Sequence, residues 1–158
     1  KNNVPGFENA QLSAVGQRIG IRETRRIIGE YVLTGEDARS GRKFSDGVAK
    51  GCHHIDIHQE GTKQIRIPIA NGGSYDIPFR CLIPKGLKNV LVAGRCFSAD
   101  REALGSARVI GGCLAMGQAA GTAASMLAAS NLEDVRQLDV SLLRKTLKSQ
   151  GAIVDGTY

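Results

Sequence analysis

The sequence predicts a mixed α/β (α+β) fold, and three observations carry that expectation. Short runs of alternating or β-branched residues, CHHIDIH at 52–58, QIRIPI at 64–69 and KNVLVA at 88–93, have the pattern of strands. One long stretch, 106–129, repeats apolar residues at three- and four-residue steps (Val109, Cys113, Met116, Ala120, Ala123, Leu127), the period of a helix. Twenty glycines and four prolines supply turns between these runs. At 158 residues, 42% of them hydrophobic and 23% charged, the chain can bury a core of its own.

Taken in order, residues 1–17 read as loop, with Pro5, Gly6 and Gly16 among polar residues. Residues 18–33 (RIGIRETRRIIGEYVL) mix Ile, Val and Tyr with polar positions and are expected to form a strand. Thr34 before Gly35, Glu36 and Asp37 is a helix start, with a capping hydroxyl and acids in the first turn, and Ser40–Gly41 should end that helix quickly. Turns are expected at Glu60–Gly61 and at Asn71–Gly73. Pro78 and Pro84 should bracket a short extended piece, FRCLI. The run 88–93 is the most strand-like in the chain, and it ends at Gly94.

The 106–129 helix is uncharged from Val109 to Ala129, about the length a bilayer core requires. Its residues are mostly Gly and Ala, which contribute little transfer energy, so burial between other protein elements is expected and not a membrane span. Gly117 and Gly121 form a G-x-x-x-G pair that lets another backbone approach. Asp139 is placed to cap a last helix, 140–149, with Leu142, Leu143 and Leu147 on its apolar stripe.

A net charge of +6 suits an anionic partner: a nucleotide cofactor, an acidic substrate or nucleic acid. The basic residues are dispersed and lack interleaved aromatics, which disfavours nucleic acid. The four cysteines, Cys52, Cys81, Cys96 and Cys113, show no C-x-x-C spacing and are expected to be reduced and mostly buried. On a 52–58 strand, Cys52, His54, Asp56 and His58 would share one face. That leaves open a metal-binding reading, although same-face neighbours diverge and seldom complete a tetrahedral site.

Residues 88–125 carry the strongest chemical signal. A strand, a glycine turn and a helix opening on small residues (Gly105, Ser106, Ala107) would leave unpaired N–H groups open to a ligand. Arg95 and Arg108 add positive charge beside them, and together these features stabilise anions. The alternative is a plain strand–helix unit with Arg95 or Arg108 paired to Glu102.

The wording of this stretch is more specific than its physics. LVAGRCFSA at 91–99 and GSARVIGGCLAMGQAAGTAASML at 105–127 resemble the C-terminal FAD-contacting motif of FAD-dependent oxidoreductases with a glutathione-reductase-like fold. RRIIGEYVLT at 25–34, FSDGVAKGCHHIDIH at 44–58 and YDIPFRCLIP at 75–84 resemble substrate-domain segments of the same family. The resemblance implies part of a two-domain fold. Residues 1–84 would belong to the substrate domain, 85–130 would form the strand–turn–helix that closes the FAD domain, and 131–158 would be a C-terminal helix and tail.

By the same resemblance, Gly94, Arg95, Gly105, Ser106, Ala107, Arg108 and Val109 would bind FAD, with 106–109 opening the helix aimed at the flavin. His58 and Asp56 would act as catalytic residues facing it, by orienting substrate or exchanging a proton. Arg80 is a candidate substrate-binding residue, its planar fork suiting a carboxylate or sugar acid; Arg25 and Arg26 are read as structural ion pairs.

The G-x-G-x-x-G unit that holds pyrophosphate in this fold is absent from the sequence. The expectation is therefore a C-terminal portion, inactive alone, whose partners are the missing N-terminal FAD-binding portion and a small-molecule substrate. It would expose an apolar patch where that portion packs, a route to homo-oligomers. Two other readings stay open: a basic scaffold domain without catalysis, and the metal-binding domain.

Overall fold

The computed structural model describes residues 3–18, 20–58, 63–70 and 73–156, and within them the fold is mixed α and β. Four short strands form two antiparallel pairs. β1 (Gly47–Gly51) pairs with β4 (Tyr75–Pro78), and β2 (Ile55–His58) pairs with β3 (Gln64–Ile67). The first pair carries an irregularity between Gly47 and Ala49; the second runs in even register from Ile55 opposite Ile67 to His58 opposite Gln64. Glycine at 51 is required by packing: a Cβ there would fall 2.2 Å from the Tyr75 ring.

Four helices surround these ladders. α1 (Gly35–Arg39) starts as expected, with a reciprocal capping box between Thr34 and Asp37. α2 (Arg101–Ala107) is capped by Asp100, one oxygen of which accepts from the Ala103 N–H and the other from the Gly35 N–H. One carboxylate thus ties the starts of both helices together. α4 (Val140–Ser149) is capped by Asp139 as expected. It buries Leu143 and Leu147 but leaves Leu142 exposed, so the apolar stripe is narrower than the sequence suggested.

The long helix differs from expectation. The stretch 106–129 is not one helix: α2 ends at Ala107, and α3 (Ile110–Ala128) begins after a break at Arg108–Val109. Nor is α3 covered all round. Gly112, Met116, Ala119 and Ala123 are buried, while Ile110, Leu114, Gly117 and Gly121 are exposed. A Cβ added at Gly117 or Gly121 would meet nothing within 4 Å, so among the described residues the G-x-x-x-G face has no partner backbone.

Four expectations of extended structure are also corrected, the strand expected over 18–33 first. Residues 27–33 form a strap between two segments, with isolated bridges Gly29–Pro84 and Leu33–Ala99. Its N–H groups alternate partners: Ile27 and Leu33 donate to Cys96 and Ser98, whereas Glu30 donates to Ile83. Residues 88–93 form no strand. Val92 donates to Leu82, but no continuous ladder runs alongside, and a β-branched run cannot be a strand without one. Residues 79–82, expected to be extended, are a 3-10 turn after β4. The 52–58 strand covers only Ile55–His58, and β1 was not anticipated, since Gly47–Gly51 has two glycines and a lysine among five residues. The turns expected at Glu60–Gly61 and Asn71–Gly72 lie outside the described residues.

The core is continuous across these elements. Leu33, Ile55, Ile77, Phe79, Leu82, Phe97, Leu104, Met116, Leu143 and Leu147 are all at most 1% exposed. Each such side chain contributes about 1.5–3 kcal/mol by leaving water. No helix among the described residues is long and apolar enough to cross a membrane.

Candidate functional site

β2 alternates: Ile55 faces the core at 0% exposure, and Asp56 and His58 emerge on the other side. There they line a cleft of about 350 Å³ with Arg22, Glu23, Arg101 and Arg108. A second cleft, about 230 Å³, shares Arg22, Asp56 and Arg108 with the first and adds Arg95, Gly105 and Val109. Residues separated by more than eighty positions in the chain thus border one continuous depression.

The histidine is held between opposite charges. Arg22 Nη1 lies 3.1 Å from His58 Nε2, and an Asp56 carboxylate oxygen lies 3.6 Å from the same atom. A guanidinium only donates, so in this contact Nε2 is the acceptor. The Asp56 carboxyl is held below its ordinary range chiefly by the Gln64 amide that donates to it at 2.6 Å; desolvation opposes this, and nearby His58 and Arg66 add smaller lowering effects.

The arginines are fixed largely through backbone carbonyls. Arg95 Nη1 donates to Ile21 C=O at 2.9 Å, Arg101 to His58 C=O at 3.3 Å and Arg108 to Asp56 C=O at 3.1 Å. Arg108 also lies 3.6 Å from Glu23, which is shared with Arg26 at the same distance. Val109 gives α3 no side-chain cap, so the first N–H groups of that helix are left for another acceptor. Gly105 permits the close seating of α2 on β2: a Cβ there would sit 3.0 Å from the Asp56 carbonyl oxygen.

The structure gathers Asp56, His58, Arg95, Gly105, Arg108 and Val109 at this depression. Ser106 and Ala107 are placed differently: they form the last turn of α2, not the first turn of α3, and both face inward. The Ser106 hydroxyl accepts from Tyr75 at 2.8 Å and donates to the His53 carbonyl. Gly94, at φ +77°, opens the 3-10 turn 94–96 and does not line either cleft.

Arg80 lies apart from these clefts. It makes a two-point ion pair with Asp46 (2.8 and 3.2 Å) beside a different cleft. Glu102, the anticipated partner of Arg95 or Arg108, instead pairs with Arg39.

Cys52, His53 and His54 precede the strand, which breaks the alternation that would place Cys52 and His54 with Asp56. Among the described residues no three His, Cys, Asp or Glu side chains gather as metal ligands. The cysteines are free, but only Cys81 is fully buried; Cys52 and Cys96 are exposed, contrary to expectation.

Sequence reading missed Arg22, Glu23 and Arg101. Arg101 did leave a signal, since a cation at the first position of a helix opposes the dipole. Arg22 and Glu23 left none, because contacts such as Arg22 to His58 span 36 positions.

Four guanidiniums (Arg22, Arg95, Arg101 and Arg108) and an uncapped helix start form a donor set suited to an anionic or electron-rich ligand. No curated protein and no solved structure matches the chain. The sequence model of the FAD dependent oxidoreductase family matches residues 1–147 of the 158, and the chain belongs to that family of FAD-binding flavoproteins.

Proposed function

We propose that this chain is the C-terminal, flavin-closing portion of an FAD-dependent oxidoreductase that takes hydride from a small organic substrate, and that it does not retain FAD alone. The convergence of Asp56, His58, Arg95, Arg108 and the open start of α3 on one depression carries the reading.

The donor set fits the cofactor in part. Arg95, Arg108 and the first N–H groups of α3 suit a flavin edge that gains negative charge, because they are positioned before any charge arrives. The sequence holds no G-x-G-x-x-G turn for the pyrophosphate, so we assign the ADP half to a separate FAD-binding portion. The open face of α3, with Ile110 80% and Leu114 69% exposed, is where that portion would pack.

Bound FAD supplies a two-electron acceptor. The chain's own residues handle the proton. When Arg22 turns to the substrate, the single Nε2 lone pair of His58 is freed to take a proton from the substrate's hydroxyl. Once Nε2 carries that proton it can no longer accept from Arg22, and the Asp56 carboxylate 3.6 Å away becomes its partner. Arg108 holds Asp56 in place through its carbonyl, and Gly105 keeps α2 close enough for that bond. Ser106 and Ala107 serve by packing α2, and Gly94 by turning the chain towards Arg95.

Titration of the purified chain with FAD, followed by fluorescence and calorimetry, tests the incomplete site. No stoichiometric binding is expected; tight one-to-one binding would show that these residues suffice and would overturn the assignment of the ADP half.

A further inference from the structure

We infer that the larger cleft is a carboxylate subsite, in which Arg22 and Arg101 hold the acid group of a small hydroxy acid against His58. The inference rests on the flavin-linked reading for its role and on the following geometry for its chemistry.

Charge is unevenly compensated in the cleft. Glu23 is shared between Arg26 and Arg108, and Asp56 is engaged by Gln64 and His58. Among the described residues no carboxylate lies within 4.0 Å of Arg22 or Arg101. Among the described residues their side chains meet neutral acceptors, His58 Nε2 and the His58 carbonyl. Each guanidinium has five donors, so most of this capacity is unused, and a carboxylate is the group that two such forks match.

Arg101 is placed against its own helix. It occupies the first position of α2, where the dipole disfavours a cation, and makes one 3.3 Å bond there. Helix stability gives no reason for an arginine at this position; a ligand anion in the cleft does.

Size and polarity narrow the class. At about 350 Å³ the cleft sits at the low end of ligand pockets and suits a molecule of a few carbons, not a dinucleotide. The group beside the carboxylate must yield a proton to His58 Nε2. A hydroxyl does so without carrying charge, whereas an ammonium would face Arg22 and Arg101, whose charge no described carboxylate offsets.

The test uses the purified 158-residue chain and glycolate, with the His58 ring and the Arg22 and Arg101 side-chain N–H signals followed by NMR. Saturable shifts are expected at these three residues. Glycine should bind more weakly, and ethylene glycol, which lacks the carboxylate, should not bind. Arg22→Ala and Arg101→Ala should each weaken glycolate about tenfold or more, the scale of a lost charge-assisted hydrogen bond. Arg101→Lys, which keeps the charge but not the fork, should also weaken it; Lys145→Ala, an exposed charge removed elsewhere, should not.

Thermal unfolding of each variant separates lost binding from lost folding. Glycolate binding that is undetectable, or unchanged in folded Arg22→Ala and Arg101→Ala, overturns the inference. So does inorganic phosphate or ADP binding more tightly at the same residues. FAD titration of the chain supplemented with a G-x-G-x-x-G-bearing portion keeps the two claims apart. Glycolate binding without flavin binding sinks the oxidoreductase reading and leaves the subsite, and the reverse sinks the subsite alone.

Discussion

Ser106→Ala should destabilise the protein by about 2–3 kcal/mol, because two polar groups lose their partner inside the fold. Tyr75 and Ser106 are both 0% exposed. The Tyr75 hydroxyl donates to Ser106 Oγ at 2.8 Å, and Ser106 passes its own proton to the His53 carbonyl. Burial pushes the Tyr75 phenol up to about 12, with the Ser106 bond acting in the other direction, so at neutral pH the hydroxyl keeps its proton and needs an acceptor. Alanine removes that acceptor and also orphans the His53 carbonyl. A buried group left unsatisfied costs about 1–3 kcal/mol, and half-buried His53 lies at the low end because water can reach it. In a domain of this size the loss lowers Tm by about 5–10 °C. Tyr75→Phe leaves the Ser106–His53 bond intact and should cost about 1 kcal/mol. The double variant should fall short of the sum by about 1 kcal/mol, the coupling expected of directly bonded partners. Urea unfolding at constant slope measures all three. If Ser106→Ala stays within about 0.5 kcal/mol of the parent while ligand binding is lost, the serine belongs to the cleft and the packing argument is wrong.

Asp37 gives a signed pH effect. Burial alone would raise its pKa, but the Thr34 N–H, Arg42 and the Tyr31 hydroxyl together lower it. Its stabilisation is therefore present above the ordinary carboxylate pKa of about 4 and lost as pH falls through the lower folded value; Asp37→Asn should flatten that acid limb of a stability–pH curve. Thiol labelling at pH 8 should modify exposed Cys52 and Cys96 first. Cys81, whose thiol burial pushes up to about 12, should react only on unfolding; fast native labelling of Cys81 would contradict its burial. In the chain joined to its FAD-binding portion and loaded with flavin, Arg108→Ala should lower the midpoint potential, by about 30 mV for each 1.4 kcal/mol of differential stabilisation lost. Spectroelectrochemistry decides it, and loss of oxidised FAD instead would place Arg108 at the phosphates.

What the sequence made legible depended on how local the cause was. The caps at Thr34 and Asp139 are set by a side chain two or three residues from its partner, and both were found. Strands at β2 and β3 were expected, each longer than it is, because alternation is a local signal; their pairing was not. The strand expected at 88–93 failed because a strand is defined by its neighbours, and a β-branched run states only a preference for having some. The single helix expected over 106–129 failed at Arg108–Val109 because small and apolar residues continue across the break and hide it. In the site, the motif brought out Arg95, Gly105 and Arg108, while Arg22 and Glu23 arrive through the path of the chain just before the 27–33 strap, which no local pattern records.

The manner in which the arginines are held separates the two charged regions of this surface. At the Arg80 cleft each cation meets an acid directly, Arg80 with Asp46 at 2.8 Å and Arg136 with Glu30 at 2.5 Å, so little charge remains for a ligand. At the His58 cleft, Arg95 and Arg101 are anchored on main-chain carbonyls, and Arg108 adds to its carbonyl bond only a longer 3.6 Å contact with Glu23, which is shared with Arg26. A carbonyl fixes the position of a guanidinium without cancelling its charge, whereas a carboxylate does both. Anchoring through carbonyls also couples the site to the fold, because the acceptors at Asp56 and His58 are the backbone of β2 itself. A shift of β2 therefore moves the imidazole together with Arg101 and Arg108. This supports locating the chemistry here: the positive charge is fixed before a ligand arrives, and preorganised charge is what stabilises an anion without further rearrangement.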